Sequence, residues 1–532
     1  MSAAYTYTDD QLTGISTYTT IYSLSYGDFG LRVSVRIGSR TLASYGYTDD
    51  ENMYLETLAY GNGDVVKYTY DDQGRVTQKA YYENGATTAS RTVTYVYDLA
   101  DTLVSQTDSE TGTTVRYDYD TLGRMIRQTG SVNGESRSLW YTYDAQGRAA
   151  TVKDVYDGTA ITTAYTYDGA NRVAGVTVGS TSESYAYDGF NRLDKWYTYH
   201  NSTYLMQKDI SYEAIDDRSG SSRPVMWSIV STGGYSAIYN YTYDGNGNIL
   251  SETLDGDTTT YVYDSANQLI RENNQKADKT WTWTYDAGGN ILTKTEYAYT
   301  TGTLGTATNT VSYTYTDTAW GDLLTGYNGK NVTYDDAIGN LSTDGTWVYA
   351  WKQGRQLYAM STGVSTWYFA YDADGMRTGR TSSSASYTYV YNGSQLSRMR
   401  YGDIELGFTY DATGRPLTVY YNGVVYYYAL NLQGDVVAIL NSSGAQVVGY
   451  TYDAWGRLLS TTGTMASTLG LHNPLRYRGY VYDTETGLYY LQSRYYNPEW
   501  GRFINADGYV STGQGLLGNN MFAYCLNNPI FF

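Results

Sequence analysis

The chain has 532 residues, including 66 Tyr, 56 Gly, 5 Pro and a lone Cys525, and carries a formal net charge of −18. That acidity argues against nucleic acid and membrane surfaces as partners, and the single cysteine excludes an internal disulfide or a cysteine-based zinc site. No run of about 18 apolar residues is present to span a bilayer, and the start at Met1 lacks the basic and apolar regions of a signal peptide.

Tyr and Thr favour pleated surfaces, Gly favours tight turns, and helix formers are thinly used, so the predicted class is all-β. The elements begin at once. Tyr5-Thr-Tyr-Thr-Asp-Asp-Gln-Leu12 is a worn form of a unit that recurs along the chain, so the array is expected to start without a capping element. Clean copies follow at Tyr68–Arg75, Tyr117–Arg124, Tyr141–Arg148, Tyr165–Arg172 and Tyr185–Arg192, with a partial copy at Tyr95–Asp98. The pattern blurs between Tyr199 and Tyr239. It returns, drifted but in frame, at Tyr241–Asn248, Tyr261–Gln268 and Trp283–Asn290, then at Phe369–Asp372, Phe408–Arg415 and Tyr450–Arg457. A period of about 20 to 25 residues is that of stacked supersecondary units.

Each position of Tyr-x-Tyr-Asp-x-x-Gly-Arg has a physical role. Aromatics at i and i+2 share one face of a strand. The Asp accepts a bond from the backbone two residues on and opens a turn, and Gly or Asn closes it in left-handed geometry. A second turn, at Asn62-Gly63, Asn133-Gly134, Asp157-Gly158 or Asn422-Gly423, completes a hairpin. The unit is therefore about two strands and two turns. Tyrosine suits a single-layer sheet because its ring can stack in ladders while its hydroxyl stays hydrated. A curled or spiral sheet of β-hairpins is expected.

Other patterns carry less. Gly513-Gln-Gly-Leu-Leu-Gly518 has dinucleotide-loop spacing but no surrounding βαβ unit, and Asp244-Gly-Asn-Gly-Asn248 starts like a calcium loop but lacks its sixth-position Gly. His200 and His472 read as stray surface residues. No cofactor and no metal is expected. Trp281, Trp283, Trp347 and Trp351 are candidate platforms for a glycan. The sequons at Asn201, Asn331, Asn340, Asn392 and Asn441 are those expected by chance in a Ser- and Thr-rich chain.

The array resembles the YD repeats of bacterial Rhs proteins, Tc-toxin C subunits and teneurins. Its tail, from Tyr477-Arg-Gly-Tyr-Val-Tyr-Asp to Trp500-Gly-Arg-Phe-Ile504 and on through Asn519, Tyr524 and Asn527-Asn528-Pro529, is similar to the Rhs-associated core domain. The resemblance implies a repeat array over residues 1–470 and a core over 471–532. It also implies a hollow shell holding a C-terminal effector, often a toxin, in a secreted or surface protein of a bacterium. The chain is then a structural segment and not an enzyme. The alternatives are an adhesion module for glycan or a partner cell, and a self-cleaving aspartyl protease. For the protease, the resemblance assigns Arg494 and Asp507 as remnants of a site whose second Asp is not present; Asp507 is followed by Gly508 instead of Pro. A strand residue covers about 16 Å² of sheet, so this chain encloses a small domain at most, and an open or partial shell is expected.

Overall fold

The computed structural model describes residues 3–216, 219–335, 337–511 and 517–531. It is 57% strand and 3% helix. A first sheet of 29 strands runs from Ala4–Thr8 to Lys330–Asn331, and a second of 14 strands runs from Thr333–Tyr334 to Leu458–Thr462. A small four-stranded sheet follows, from Val481–Asp483 to Arg502–Phe503. Successive strands pair antiparallel, as in Arg137↔Tyr156 and then Thr151↔Ala164, so the sheets are unbroken meanders of hairpins. The blurred stretch is also sheet. It forms the two longest strands, Thr203–Asp216 and Ser219–Ser231, with several register shifts between them.

The turn chemistry follows the repeat. In the unit Tyr141–Arg148, Asp144 Oδ1 accepts the backbone N–H of Gln146 at 2.9 Å and of Arg148 at 3.0 Å, and Oδ2 accepts Arg148 Nε at 2.7 Å. Gly147 closes the turn at φ 82°. At the opposite hairpin ends, Asn133-Gly134, Asp157-Gly158 and Asn422-Gly423 all have both residues at positive φ, the type I′ signature.

The tyrosines depart from expectation. The second Tyr of each unit lies two strands, about 9.6 Å, from its counterpart in the next, too far for ring-on-ring stacking. An arginine fills the gap. Arg124 lies 4.4 Å from the ring centre of Tyr143, Arg148 4.2 Å from Tyr167, and Arg172 4.2 Å from Tyr187. Nor is the hydroxyl left to water. Tyr143 donates to Met125 O at 2.7 Å, Tyr167 to Ala149 O at 2.8 Å and Tyr187 to Val173 O at 2.8 Å, each to the residue after the preceding unit's arginine. Phenylalanine would lose this link between repeats. On the outer face the x of Tyr-x-Tyr pairs across the strands, as in Thr142–Thr151 at 2.7 Å and Thr284–Thr293 at 2.7 Å.

Register shifts recur at the second Tyr, between Thr142 and Tyr143, Thr166 and Tyr167, Val262 and Tyr263, and Thr284 and Tyr285. A bulge in each repeat bends the strand and adds twist, which curls the sheet. The curl becomes a spiral. Thr20 meets Asp322 across 302 residues, Asp64 meets Gly354 across 290, Gln106 meets Asp374 across 268, Trp227 meets Leu430 across 203 and Lys294 meets Asp453 across 159. The falling separation means that the second turn uses less chain than the first, so the spiral tightens toward its C-terminal end. Hydrophobic burial concentrates there: one cluster runs from Val176 to Ile530, and a smaller one joins Ile15 and Tyr22 to Trp320 and Phe522.

Candidate functional site

The residues after the second sheet sit against the tight end of the spiral. Tyr477, Tyr489 and Tyr496 donate to the carbonyls of Ala454 at 3.1 Å, Gly456 at 3.0 Å and Trp455 at 2.7 Å, so three hydroxyls hold the turn of the Tyr450–Arg457 unit. Arg377, fully buried on the second winding, is bidentate to Asp483 at 2.6 and 2.9 Å. Its guanidinium lies 4.6 Å from the ring centre of Tyr389 and 4.5 Å from that of Tyr490. Beside it, Arg380 pairs with Glu485 at 2.7 Å. Arg502 donates to Asp322 O and to Tyr315 Oη at 2.6 Å, which ties the small sheet to the end of the first winding. Sequence reasoning missed Arg377 and Asp483, because neither belongs to a repeat position whose partner is local.

Arg494 precedes the strand Tyr495–Asn497, and Asp507 follows Arg502–Phe503. The structure brings them together. Arg494 Nη2 lies 2.9 Å from Asp507 Oδ2, and the guanidinium packs over the Phe503 ring at 3.5 Å from its centre. Burial pulls the Arg494 pKa down from its usual value, against the attraction of Asp507. Asp507 Oδ1 accepts the N–H of Tyr509 at 3.1 Å. Among the described residues, no carboxylate is hydrogen-bonded to Asp507. The pair therefore has the geometry of an ion pair and lacks the shared proton of a carboxylate dyad.

A cavity of about 870 Å³ lies between the two windings, lined by Tyr239, Glu252, Tyr261, Glu272 and Trp281 from the first and by Asp435 and Asp453 from the second. Burial, then the charge of Asp453, pushes Glu272 up to about 7; burial and Asp435 do the same to Glu252, also to about 7. Asp453 behaves oppositely. Burial would raise it, but Lys294 at 2.9 Å and Arg457 at 3.2 Å hold it below its ordinary value.

Several sequence candidates find structural places. Trp281 and Trp283 are 2% and 3% exposed, so neither is an outer platform for a sugar; Trp281 faces the cavity and donates to Glu296 at 3.2 Å. Trp351 is half-buried, its Nε1 donating to Leu341 O at 2.7 Å, and Trp347 packs against the core. The histidines are not stray surface residues. His200 Nδ1 is 2.8 Å from Tyr427 Oη, joining the windings, and His472 packs against Tyr401 and Tyr421. The carboxylate of Asp244 is engaged by its own turn, from Asn246 N, Asn248 N and Asn248 Nδ2. The Gly513–Gly518 pattern falls largely outside the described residues.

Residues 405–530 match the family model for the teneurin YD-shell. The tRNA3(Ser)-specific nuclease WapA of Bacillus spizizenii is 37% identical over 214 residues, which is 39% of this chain and 9% of that protein. The double-stranded DNA deaminase toxin A of Burkholderia cenocepacia is 25% identical over 330 residues, 54% of this chain and 21% of that protein. Among solved structures, the TcdB2–TccC3 complex aligns with all of this chain and 32% of its own at 17% identity and a TM-score of 0.73. The Tc holotoxin pore of Photorhabdus luminescens aligns with 96% of this chain and 29% of its own at 17% identity and a TM-score of 0.72. The chain thus spans about a tenth to a third of the length of these four relatives and structures. At these identities the structural likeness concerns the fold.

Proposed function

We propose that this chain, whose residues 405–530 match the teneurin YD-shell, is a wall segment that encloses or presents a C-terminal effector of a secreted or surface-borne bacterial toxin. One observation carries this reading: a spiral that tightens toward its end, with the segment after it locked there by the buried Arg377–Asp483 pair. Residues 471–532 serve as the closing core, and residues 1–470 as the wall. No helix among the described residues is long and apolar enough to cross a membrane. The glycan-binding alternative has less support, since Trp281 and Trp283 are buried and Trp347 and Trp351 are half-buried.

In this reading the wall has a structural role. Arg494 and Asp507 stand as an ion pair; in a polypeptide that supplies a second Asp downstream, Asp507 becomes one half of a self-cleaving dyad. The test is limited proteolysis of the natural polypeptide that includes the downstream sequence. The effector should resist trypsin at concentrations that digest it when made alone, and Arg377→Ala should remove that resistance. Equal sensitivity of enclosed and free effector would refute the wall role.

A further inference from the structure

Most units end in arginine, but three consecutive ones end in Asn248, Gln268 and Asn290. The exchange has a consequence at each turn. In an arginine unit, Arg148 donates to its own Asp144 and, at 2.7 Å, to Asn171 of the next unit. Asn248 reproduces both donations, from Nδ2 to Asp244 Oδ2 at 2.8 Å and to Asn267 Oδ1 at 2.9 Å. Gln268 donates likewise to Asp264 at 2.8 Å, and Asn290 to Asp286 at 3.0 Å. The turns are therefore satisfied as arginine satisfies them.

What the amides add is an acceptor, because a guanidinium has only donors. The C-terminal segment meets all three. Asn528 Nδ2 donates to Asn248 Oδ1 at 2.8 Å, Asn527 Nδ2 to Gln268 Oε1 at 2.9 Å and to Gly289 O at 2.6 Å, and Asn520 Nδ2 to Asn290 Oδ1 at 2.9 Å. All six side chains are buried, so arginine at these turns would set donor against donor away from water.

We infer that the turns 244–248, 264–268 and 286–290 form a docking site for an asparagine-bearing segment, and that residues 520–528 are a latch held there and releasable with the repeats intact. The repeats do not depend on the latch for their own bonds. Tyr263 donates to Ile249 O and Tyr285 to Leu269 O at 2.8 and 2.7 Å, the geometry of Tyr167 on Ala149, so rings stand ready to receive an arginine at 248 or 268. The latch also carries its own reporter, the half-buried Cys525, which is the sole cysteine of the chain.

The experiment uses the full chain and a thiol reagent of the Ellman type. The double variant Asn248→Arg/Gln268→Arg should keep the far-ultraviolet circular dichroism of the repeats while Cys525 labels on the order of tenfold faster or more. Asn527→Leu, which removes one of the latch's three donating amides, the one that bonds both Gln268 and Gly289, and leaves the repeat sequence untouched, should do the same. Arg148→Asn, in an equivalent turn away from the latch, should leave labelling unchanged. Unaltered labelling in folded double and latch variants overturns the inference. So does loss of the repeat signal together with the latch in both variants.

Discussion

Replacing Glu272 by Gln should reverse its effect on stability between acid and alkaline pH. Glu272 is 1% exposed, and burial beside Asp453 raises its carboxyl from 4.5 to about 7. The folded chain therefore holds this proton more tightly than the unfolded chain. The contribution of Glu272 to wild-type stability is undiminished below pH 4.5, falls as pH rises toward 7, and carries the full penalty above it. A change from 4.5 to about 7 corresponds to about 3 kcal/mol. Glutamine is neutral throughout but meets two donors, Ala454 N at 3.2 Å and Asn274 Nδ2 at 3.0 Å, and can accept from only one with its oxygen. That loss costs about 1 kcal/mol. The variant should be about 2 kcal/mol more stable than wild type at pH 8 and about 1 kcal/mol less stable at pH 4.5. Urea unfolding at the two pH values, followed by tryptophan fluorescence, reads the difference directly. Asp453 does not confuse it, since Lys294 and Arg457 keep its carboxylate charged across the window. A pH-independent difference, or a variant less stable at pH 8, would refute the reasoning.

Tyr143→Phe should cost about 1 kcal/mol in thermal unfolding, since it deletes only the hydroxyl that bonds Met125 O. An unchanged midpoint would mean that the inter-repeat bond contributes nothing. Gly147→Val should cost about 1–2 kcal/mol from its φ of 82°, because the added Cβ meets nothing closer than Arg124 Nη1 at 3.4 Å. Arg377→Ala leaves Asp483 buried without its bidentate partner and should cost about 3–5 kcal/mol, read as early loss of the core in hydrogen exchange. Asp507→Asn removes the counter-charge of the largely buried Arg494 and should cost about 1–3 kcal/mol. The 532-residue chain itself should keep its full mass for days at pH 4–7, and mass spectrometry showing spontaneous cleavage would overturn the inert reading of Asp507.

The sequence by itself determined what acts within one hairpin. Asp144, Gly147 and Arg148 close their turn through bonds between residues at most four apart, so the pattern Tyr-x-Tyr-Asp-x-x-Gly-Arg was enough to place it. It also determined the strand class, since alternating Tyr and Thr on two faces needs only the pleat. The pairing of Arg494 with Asp507 was legible only through a resemblance. The tertiary structure decided the rest. That Arg148 caps Tyr167, with the tyrosine hydroxyl bonded to the backbone, depends on a repeat one period away. That Asn248, Gln268 and Asn290 are matched acceptors, and that Glu272 holds its proton near neutrality, depends on contacts more than 150 residues away. Those contacts are set by how far a bulge in each repeat bends the sheet. A small bend summed over many strands decides which residues meet, and no local pattern records that sum.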